Sequence, residues 1–237
     1  MGKRTAIIGA IKDEIAGIKN QMRIDDAFRW QTGNAFAGEW KGVSIVLVRS
    51  GIGCDSARDA LWETARKFEL DRVISIGYAG ALDPALDVGD LVVADNVIYY
   101  ETRETCSFDP DILSNMPEAL RGTLLTVDEV VATPLEKKSL KEQYGAVAVD
   151  METYALAEDA RTRHLPFVSV RCITDTADQE LIDCSHLVAE DGDVSKLKAG
   201  WHILTHPGDL KGMIDLGKNA KQATANLTVY VSQWIQE

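Results

Sequence analysis

The amino-acid sequence predicts an α/β fold in a single domain, with a parallel or mixed sheet. Short apolar runs of strand length alternate with amphipathic stretches of helical length, which is the pattern of strand–helix–strand units. The 237 residues contain no repeat, low-complexity tract or linker, so one domain is the best count. Glycine-rich or acidic segments follow several apolar runs, and ligands of open α/β sheets bind beyond the carboxyl ends of strands.

The first half of the chain supplies three predicted strands. Residues 5–10 (TAIIGA) form the first, and residues 42–49 (GVSIVLVR) form a β-branched second. A helix follows from about residue 55 to 68, because its apolar residues recur every three or four positions. Residues 72–76 (RVISI) form the third strand, and it ends at a run of small residues.

The second half continues the alternation and ends in a long helix. Its predicted strands are residues 90–94, 97–100, 122–127, 146–149 and 166–173. One helix runs from Asp150 or Met151 to about residue 163, and a long amphipathic helix covers residues 210–234. The mixed, polar segment 179–209 is predicted to be loop with short helices.

Composition excludes several classes of partner. With 46% hydrophobic and 26% charged residues the chain is typical of a soluble globular protein. A net charge of −12 argues against nucleic acid and anionic membranes, which need a basic face. No apolar run approaches the length of a membrane span, and the start lacks the apolar core and cleavage site of a signal peptide. Four widely spaced cysteines suit free thiols in a reducing compartment, so we expect a cytoplasmic protein with a small-molecule partner.

Two glycine-rich segments follow predicted strands. The first, residues 50–53 (SGIG), could present backbone N–H groups to an anion or hydroxyl, or could equally be a tight turn. It lacks the third glycine of a dinucleotide fingerprint, because Ser56 stands there. The second, residues 77–81 (GYAGA), would let a ligand approach the backbone, and its alternative is simple chain reversal.

Charged residues stand at the joints of the strand–helix–strand segment 147–178. Asp150 and Glu152 come where a strand gives way to a helix, and Asp175 follows the next strand. Arg171 lies inside an apolar run, so it needs a buried partner, for which Glu14 and Glu152 are candidates; the alternative is a purely structural ion pair. Glu14 alone suits a solvated acid in the first turn of a helix.

A metal site is not predicted. The pairs Cys184/His186 and His202/His206 offer ligand types, but their separation and polar surroundings are unlike a compact zinc module. The chain also contains no Gly-x-Ser-x-Gly elbow and no Walker loop.

Four segments, in order over roughly residues 5–178, resemble the 5′-methylthioadenosine/S-adenosylhomocysteine nucleosidases of the nucleoside phosphorylase/nucleosidase superfamily. They are IIGAIKDEI, SGIGCDSARDA, SIGYAGALDPALDVGDLVVADNVIYYE, and AVDMETYALA with PFVSVRCITDTAD. The resemblance implies one α/β domain around a central mixed, partly barrel-like sheet flanked by helices, in homodimers or larger homo-oligomers.

The resemblance also assigns roles to residues. Asp175 matches the acid that protonates or hydrogen-bonds the purine at N7, and Thr174 stands where a serine often assists it. Glu152 would bind the ribose hydroxyls and Met151 would pack on the sugar. Glu14 matches the acid that positions or deprotonates the attacking water.

Arg171 matches the arginine near that water or near phosphate. Glycosyl cleavage passes through an oxocarbenium-like transition state with an anionic leaving base. We therefore expect Asp175 to have a raised pKa and to act as the acid, while Glu14 and Glu152 act as anions.

The chain departs from the resemblance at several positions. Tyr78 stands where a serine usually helps to hold the water, and Val130 and Val131 occupy the stretch of the purine-stacking aromatic. The arginine-bearing phosphate loop of the classical phosphorylases is not evident near Gly9. Beyond residue 178 the chain resembles hopanoid-associated phosphorylases, which implies a large apolar 5′ substituent with residues 201–213 as its wall.

The predicted activity is cleavage of the N-glycosidic bond of a purine, adenosine-type nucleoside with a 5′ substituent. The enzyme would be a nucleosidase or a nucleoside phosphorylase, without a cofactor, and with inorganic phosphate as co-substrate in the second case. Two alternatives remain: a catalytically inactive nucleoside-binding protein, and an NAD-type Rossmann oxidoreductase that rests on Gly51 and Gly53 alone.

Overall fold

The computed structural model describes residues 2–30, 33–181 and 210–236, with side chains from residue 215 onward in the last range. The described residues form ten strands and six helices. The strands are β1 (Arg4–Gly9), β2 (Arg23–Arg29), β3 (Asn34–Trp40), β4 (Val43–Arg49), β5 (Leu70–Ala81), β6 (Leu91–Tyr99), β7 (Thr105–Ser107), β8 (Leu120–Thr126), β9 (Ala148–Asp150) and β10 (Phe167–Asp175). The helices are α1 (Lys12–Lys19), α2 (Cys54–Lys67), α3 (Pro110–Ser114), α4 (Pro134–Tyr144), α5 (Thr153–Thr162) and α6 (Leu210–Trp234).

The strands form one mixed sheet that closes on itself in part. The strand order is β10-β6-β8-β9-β5-β1-β4-β3-β2, and β5 also pairs with β10, so five strands make a ring. Pairs such as β1–β5 and β5–β10 are parallel, whereas β6–β10 and β5–β9 are antiparallel. The predicted α/β fold with a central mixed, partly barrel-like sheet is confirmed.

Helices cover both faces of this sheet. Apolar side chains of α2 and α5 pack with one face, around Ala57, Leu61 and Ala160. The opposite face packs against α1 and α6, through Ile15, Ile18 and Leu227 among others. Burial of these two faces supplies the main apolar stabilisation, because each helix has one apolar stripe to cover.

The topology brings the loops after several strands to one edge. Strands β1, β4, β5 and β10 run in the same direction, so their carboxyl ends meet at one side of the sheet. Strand β9 ends at the same place, where Val149 pairs with Gly80 of β5. This edge carries the acids that the sequence pattern places at strand ends.

Most predicted elements lie where the sequence places them, with two corrections. Residues 77–81, considered as a turn, continue β5 as extended strand, and residues 91–99 form one strand rather than two segments. The β2–β3 hairpin and helix α4 were not predicted. The predictions for residues 182–209, including the cysteine and histidine pairs and most of the proposed apolar wall, lie outside the described residues. Within the described ranges, no helix is long and apolar enough to cross a membrane.

Candidate active site

A cavity at the carboxyl edge of the parallel strands collects residues from distant parts of the chain. Eight of the nine predicted site residues line it: Glu14, Tyr78, Val130, Val131, Met151, Glu152, Thr174 and Asp175. The ninth, Arg171, lies behind the wall. The acids that stand far apart in the sequence therefore face one space.

Glu14 is a buried acid held by backbone N–H groups. Its Oε2 accepts hydrogen bonds from the N–H of Ala10 (2.6 Å) and Ile11 (3.0 Å), and its Oε1 accepts from the N–H of Tyr78 (2.9 Å). The residue is only 5% exposed, so the interpretation of Glu14 as a solvated acid is wrong. Burial raises the pKa of Glu14, while the three N–H donors and the charge of Arg171 lower it.

Two glycines of β5 make room for carboxylates. A Cβ on Gly77 would lie 2.9 Å from Glu14 Oε1, and a Cβ on Gly80 would lie 2.8 Å from Asp175 Oδ2. Any side chain would push these oxygens out of place. The small residues of this segment thus admit the protein's own acids against the backbone.

Glu152 lies at the start of α5 and closes the other side of the cavity. Its Oε1 accepts a hydrogen bond from the N–H of Gly53 (2.8 Å), so this amide of the SGIG loop already has an acceptor. Gly53 has a φ of +90°, which favours glycine. Burial, followed by the charges of Asp150 and Glu14, raises the pKa of Glu152 to about 8.

Asp175 and Thr174 share the cavity because of a β-bulge. Along the β5–β10 pair, Ile173 faces Ala79 and Asp175 faces Gly80, which leaves Thr174 as the extra residue. A bulge re-aims side chains that would otherwise alternate between the two faces. Thr174 Oγ1 donates to Asp175 Oδ1 (2.9 Å), so the predicted pairing of hydroxyl and acid is present.

Asp175 has a cationic partner that the sequence pattern did not single out. Lys137 Nζ donates to Asp175 Oδ2 at 2.6 Å, and the lysine side chain is fully buried. A signal existed, since Lys137 lies three residues before Leu140 and seven before Tyr144, which both pack against the apolar cluster beneath α4. A lysine on the apolar face of a helix needs a buried partner.

Arg171 is 1% exposed, and it forms an ion pair with a carboxylate other than the two expected. Its Nε and Nη2 lie 2.9 and 2.7 Å from Asp150 Oδ2, and Nη2 also donates to Ser75 Oγ (2.9 Å). The predicted partners Glu14 and Glu152 are therefore wrong for the direct ion pair. Arg171 acts on Glu14 and Glu152 by its charge, which lowers the pKa of each.

The three acids have different electrostatic surroundings. The pKa values of Glu14 and Glu152, which are expected to act as anions, are raised by burial. Asp175, which is expected to act as the protonated acid, lies 2.6 Å from the ammonium of Lys137.

The hydroxyl of Tyr78 is bound to helix α6. The hydroxyl donates to the carbonyl of Ala220 (3.1 Å) and lies 2.6 Å from Thr224 Oγ1, both on α6. Tyr78 contributes its backbone N–H to Glu14, whereas its phenol ties β5 to α6. Val130 is 62% exposed at the cavity and Val131 is partly buried beside it.

The described lining is acidic. It includes five residues with carboxyl groups and no lysine or arginine: Glu14, Glu129, Asp150, Glu152 and Asp175. Across the three described ranges, no group of three or more His, Cys, Asp or Glu side chains is arranged to hold a metal ion. The arrangement favours a neutral, hydroxyl-rich ligand, because hydroxyl groups can donate to carboxylates.

Known proteins resemble this chain in sequence and in fold. A family model described as the phosphorylase superfamily matches residues 4–199. A 5′-methylthioadenosine/S-adenosylhomocysteine nucleosidase of Baumannia cicadellinicola subsp. Homalodisca coagulata is 31% identical over 196 residues, which cover 73% of this chain and 86% of that protein.

Two solved structures share the fold. The nucleosidase of the same name from Neisseria meningitidis, in complex with methylthio-immucillin-A, superposes with a TM-score of 0.78 at 24% identity and covers 99% of both chains. Futalosine hydrolase of Helicobacter pylori strain 26695 superposes with a TM-score of 0.74 at 18% identity, covering 98% of both chains. At these identities the structural likeness establishes the fold.

Proposed function

Because the chain belongs to the phosphorylase superfamily, we propose that it hydrolyses the N-glycosidic bond of an adenosine-type nucleoside with a 5′ substituent and releases the free base. One observation carries the proposal: eight predicted site residues from five separate segments surround a single cavity. The name of the 31% identical relative supports the reaction and the adenosine-type substrate.

The base end of the proposed site is Asp175 with Thr174. Cleavage of the C1′–N9 bond sends its electron pair into the purine, so a proton at N7 stabilises the leaving group. Asp175 is the acid that would donate this proton, and the Thr174 hydroxyl orients its other oxygen. The bulge in β10 lets both side chains line the cavity.

The sugar end of the proposed site is Glu152 with Met151. A carboxylate accepts hydrogen bonds from the ribose hydroxyls and stabilises the positive charge that develops on the sugar ring. The N–H of Gly53 holds one oxygen of Glu152, which leaves the other for the ligand. Met151 lines the cavity beside it and offers an apolar surface to the sugar.

Glu14 is the proposed base for the attacking water. Three backbone N–H groups fix both of its oxygens, so its orientation is set before substrate binds. As water attacks C1′, Glu14 accepts one of its protons, and the oxygen becomes the new hydroxyl at C1′. The raised pKa of Glu14 makes its carboxylate a stronger base. We propose no cofactor for this reaction.

The acidic lining favours water over phosphate as the nucleophile. Phosphate is a dianion that proteins bind with Arg, Lys or clustered N–H groups, and no such cation lines the described part of the cavity. The guanidinium of Arg171 is engaged by Asp150 and Ser75. We therefore propose hydrolysis, with phosphorolysis as the alternative that the experiment below tests.

The test is base release from adenosine, methylthioadenosine, inosine and a futalosine-type nucleoside, each with and without phosphate. We expect release from the adenosine-type substrates without phosphate. Asp175→Asn should abolish it, while Asp178→Asn, an exposed acid three residues away, should retain it. Strict phosphate dependence would reject hydrolysis. Tight binding without turnover would support the inactive nucleoside-binding protein that Tyr78 suggests.

A further inference from the structure

The base-side acid, Asp175, forms a buried ion pair with Lys137. The Lys137 ammonium has three N–H donors, and each has an acceptor: Asp175 Oδ2 (2.6 Å), the Thr176 carbonyl (2.7 Å) and the Gln179 carbonyl (3.2 Å). Asp175 is 4% exposed and Lys137 is fully buried. Since desolvating two charges is costly, each of these buried groups needs the other as a close partner.

We propose that Lys137 is a positioning residue that holds Asp175 as an anion in the free enzyme, so that ligand binding brings a proton to this carboxylate. The proposal rests on the function proposed above, in which Asp175 faces N7 of the base.

The hydrogen-bond inventory explains why a proton must arrive. In the free site Asp175 accepts from Lys137 on Oδ2 and from the Thr174 hydroxyl on Oδ1, so it is an acceptor on both oxygens. N7 of a purine nucleoside, whose N9 is bonded to the sugar, also has only a lone pair to offer. Two acceptors cannot bond without a proton between them. One proton from solvent therefore joins Asp175 as the base binds, and it moves to N7 when the C1′–N9 bond breaks.

Other charges around the pair act against the anion. Four other acids of the cavity, and Asp178 in the loop after β10, repel a negatively charged Asp175. The four cavity acids are Glu14, Glu129, Asp150 and Glu152. Lys141, one turn further along α4, is engaged by Asp83 at 2.9 Å. Arg171 is paired with Asp150. In the described part of the chain, Lys137 is thus the cation in direct contact with Asp175.

Calorimetric titration of 9-methyladenine into the protein measures the proton directly, because its N9 is blocked as in a nucleoside and N7 has only a lone pair. Near pH 7.5, in two buffers of different ionisation enthalpy, we expect the wild-type protein to take up about one proton per 9-methyladenine bound. This compound carries no ribose, so the Glu152 site is not engaged. Asp175→Asn should remove the uptake, and Lys137→Met should reduce it towards zero, because a buried carboxyl without its ammonium is already protonated. Lys138→Met, an exposed neighbour on the same helix, should match the wild type.

The outcomes separate the two proposals. Binding of 9-methyladenine to the wild type without proton uptake overturns the role of Lys137, and the wild-type measurement decides this even where Lys137→Met does not fold. Absence of 9-methyladenine binding overturns the proposed function instead, and this role of Lys137 with it.

The pH dependence of kcat/KM gives a second readout that a structural role would not produce. In Lys137→Met the fall in rate on the alkaline side should move to higher pH by about one unit or more, because Asp175 stays protonated longer. Lys137→Arg, which keeps a cation, should restore the wild-type limb. A rate lowered equally at every pH, with the limb unmoved, would contradict the proposal.

Discussion

Three acids of the site are held by different sets of hydrogen-bond donors. Glu14 is held by backbone N–H groups, Glu152 by the single N–H of Gly53, and Asp175 by an ammonium and a hydroxyl. Burial dominates where the donors are neutral, so the pKa values of Glu14 and Glu152 are raised. Asp175 differs from both in its direct contact with an ammonium, which is the basis of the role proposed for Lys137.

Gly80→Ala should impair catalysis more than stability. Its new Cβ would lie 2.8 Å from Asp175 Oδ2, so the carboxylate must shift away from both Lys137 and the base. A displacement of this order costs about tenfold to 100-fold in kcat. Steady-state kinetics with an adenosine-type nucleoside and a thermal melt would measure both effects.

The matched control for this substitution is Gly217→Ala on α6, where an added Cβ meets no atom within 4 Å. It should keep full activity, since it replaces a helical glycine by alanine in open space. Equal kcat in Gly80→Ala and the wild type would contradict the close packing of Asp175 against β5.

The sequence could locate most of the site but not its electrostatics. Asp175, Glu152 and Glu14 follow strands, and the ordered motifs assign them to one pocket. Their protonation depends on neighbours that only the fold brings close, such as Asp150 beside Arg171. Lys137 lies in a helix with several lysines, and only its register relative to Leu140 distinguishes it.

At the scale of secondary-structure elements, the sequence predicted the strands and helices that have a clear apolar pattern. Strands β1 and β10 are buried along nearly their whole length, and β4 is buried at four consecutive positions, so their apolar runs predict them. Strand β2 is exposed at six of its seven positions, so it has no such run. Helix α4 could have been found from its ends, because Thr133 and Glu136 form a capping box and Gly145 terminates it.

The contact between α1 and α6 depends on one glycine. A Cβ on Gly17 of α1 would lie 1.9 Å from Oγ1 of Thr228 on α6. Alanine usually stabilises a helix relative to glycine, yet here we expect Gly17→Ala to lower the unfolding free energy by about 1–3 kcal/mol. The helices would have to separate along a surface that buries Ile15, Ile18 and Leu227. Urea unfolding measures the loss.

A double-mutant cycle identifies the cause of that loss. Thr228→Ala removes Oγ1 and Cγ2, two of the three atoms nearest to the new methyl group, so it should recover part of the loss in the Gly17→Ala background. The two substitutions should then be non-additive by about 0.5 kcal/mol or more. Additive effects would show that the clash does not control the packing of α1 against α6.

For the whole molecule, the site is a concentration of acid inside an already acidic chain. The net charge of the chain is −12. In the part of the chain that the structure describes, five residues with carboxyl groups line one cavity. Folding must desolvate several of these groups, and two cations, Lys137 and Arg171, are buried beside them. Assembly of the site therefore lowers the unfolding free energy by an amount that depends on pH.

This cost should appear when Glu152 is made unable to ionise. The pKa of Glu152 is raised from 4.5 to about 8 in the folded protein. Below pH 4.5 the carboxyl is protonated in both states and has no effect. Between these values the unfolded chain loses its proton and the folded protein keeps it, so the unfolding free energy falls as pH rises, and the full cost is present above about 8.

Glu152→Gln should therefore be close to the wild type in stability at about pH 5 and more stable by about 1–3 kcal/mol at about pH 9. The amide can still accept the N–H of Gly53, so the hydrogen bond is retained while the charge is lost. Urea unfolding at three pH values would measure the difference, with the exposed Glu118→Gln as a control that should vary by less than about 0.5 kcal/mol. A Glu152→Gln difference that stays constant from pH 5 to 9 would mean that Glu152 is already ionised in the folded protein near neutral pH, as an ordinary ribose-binding carboxylate.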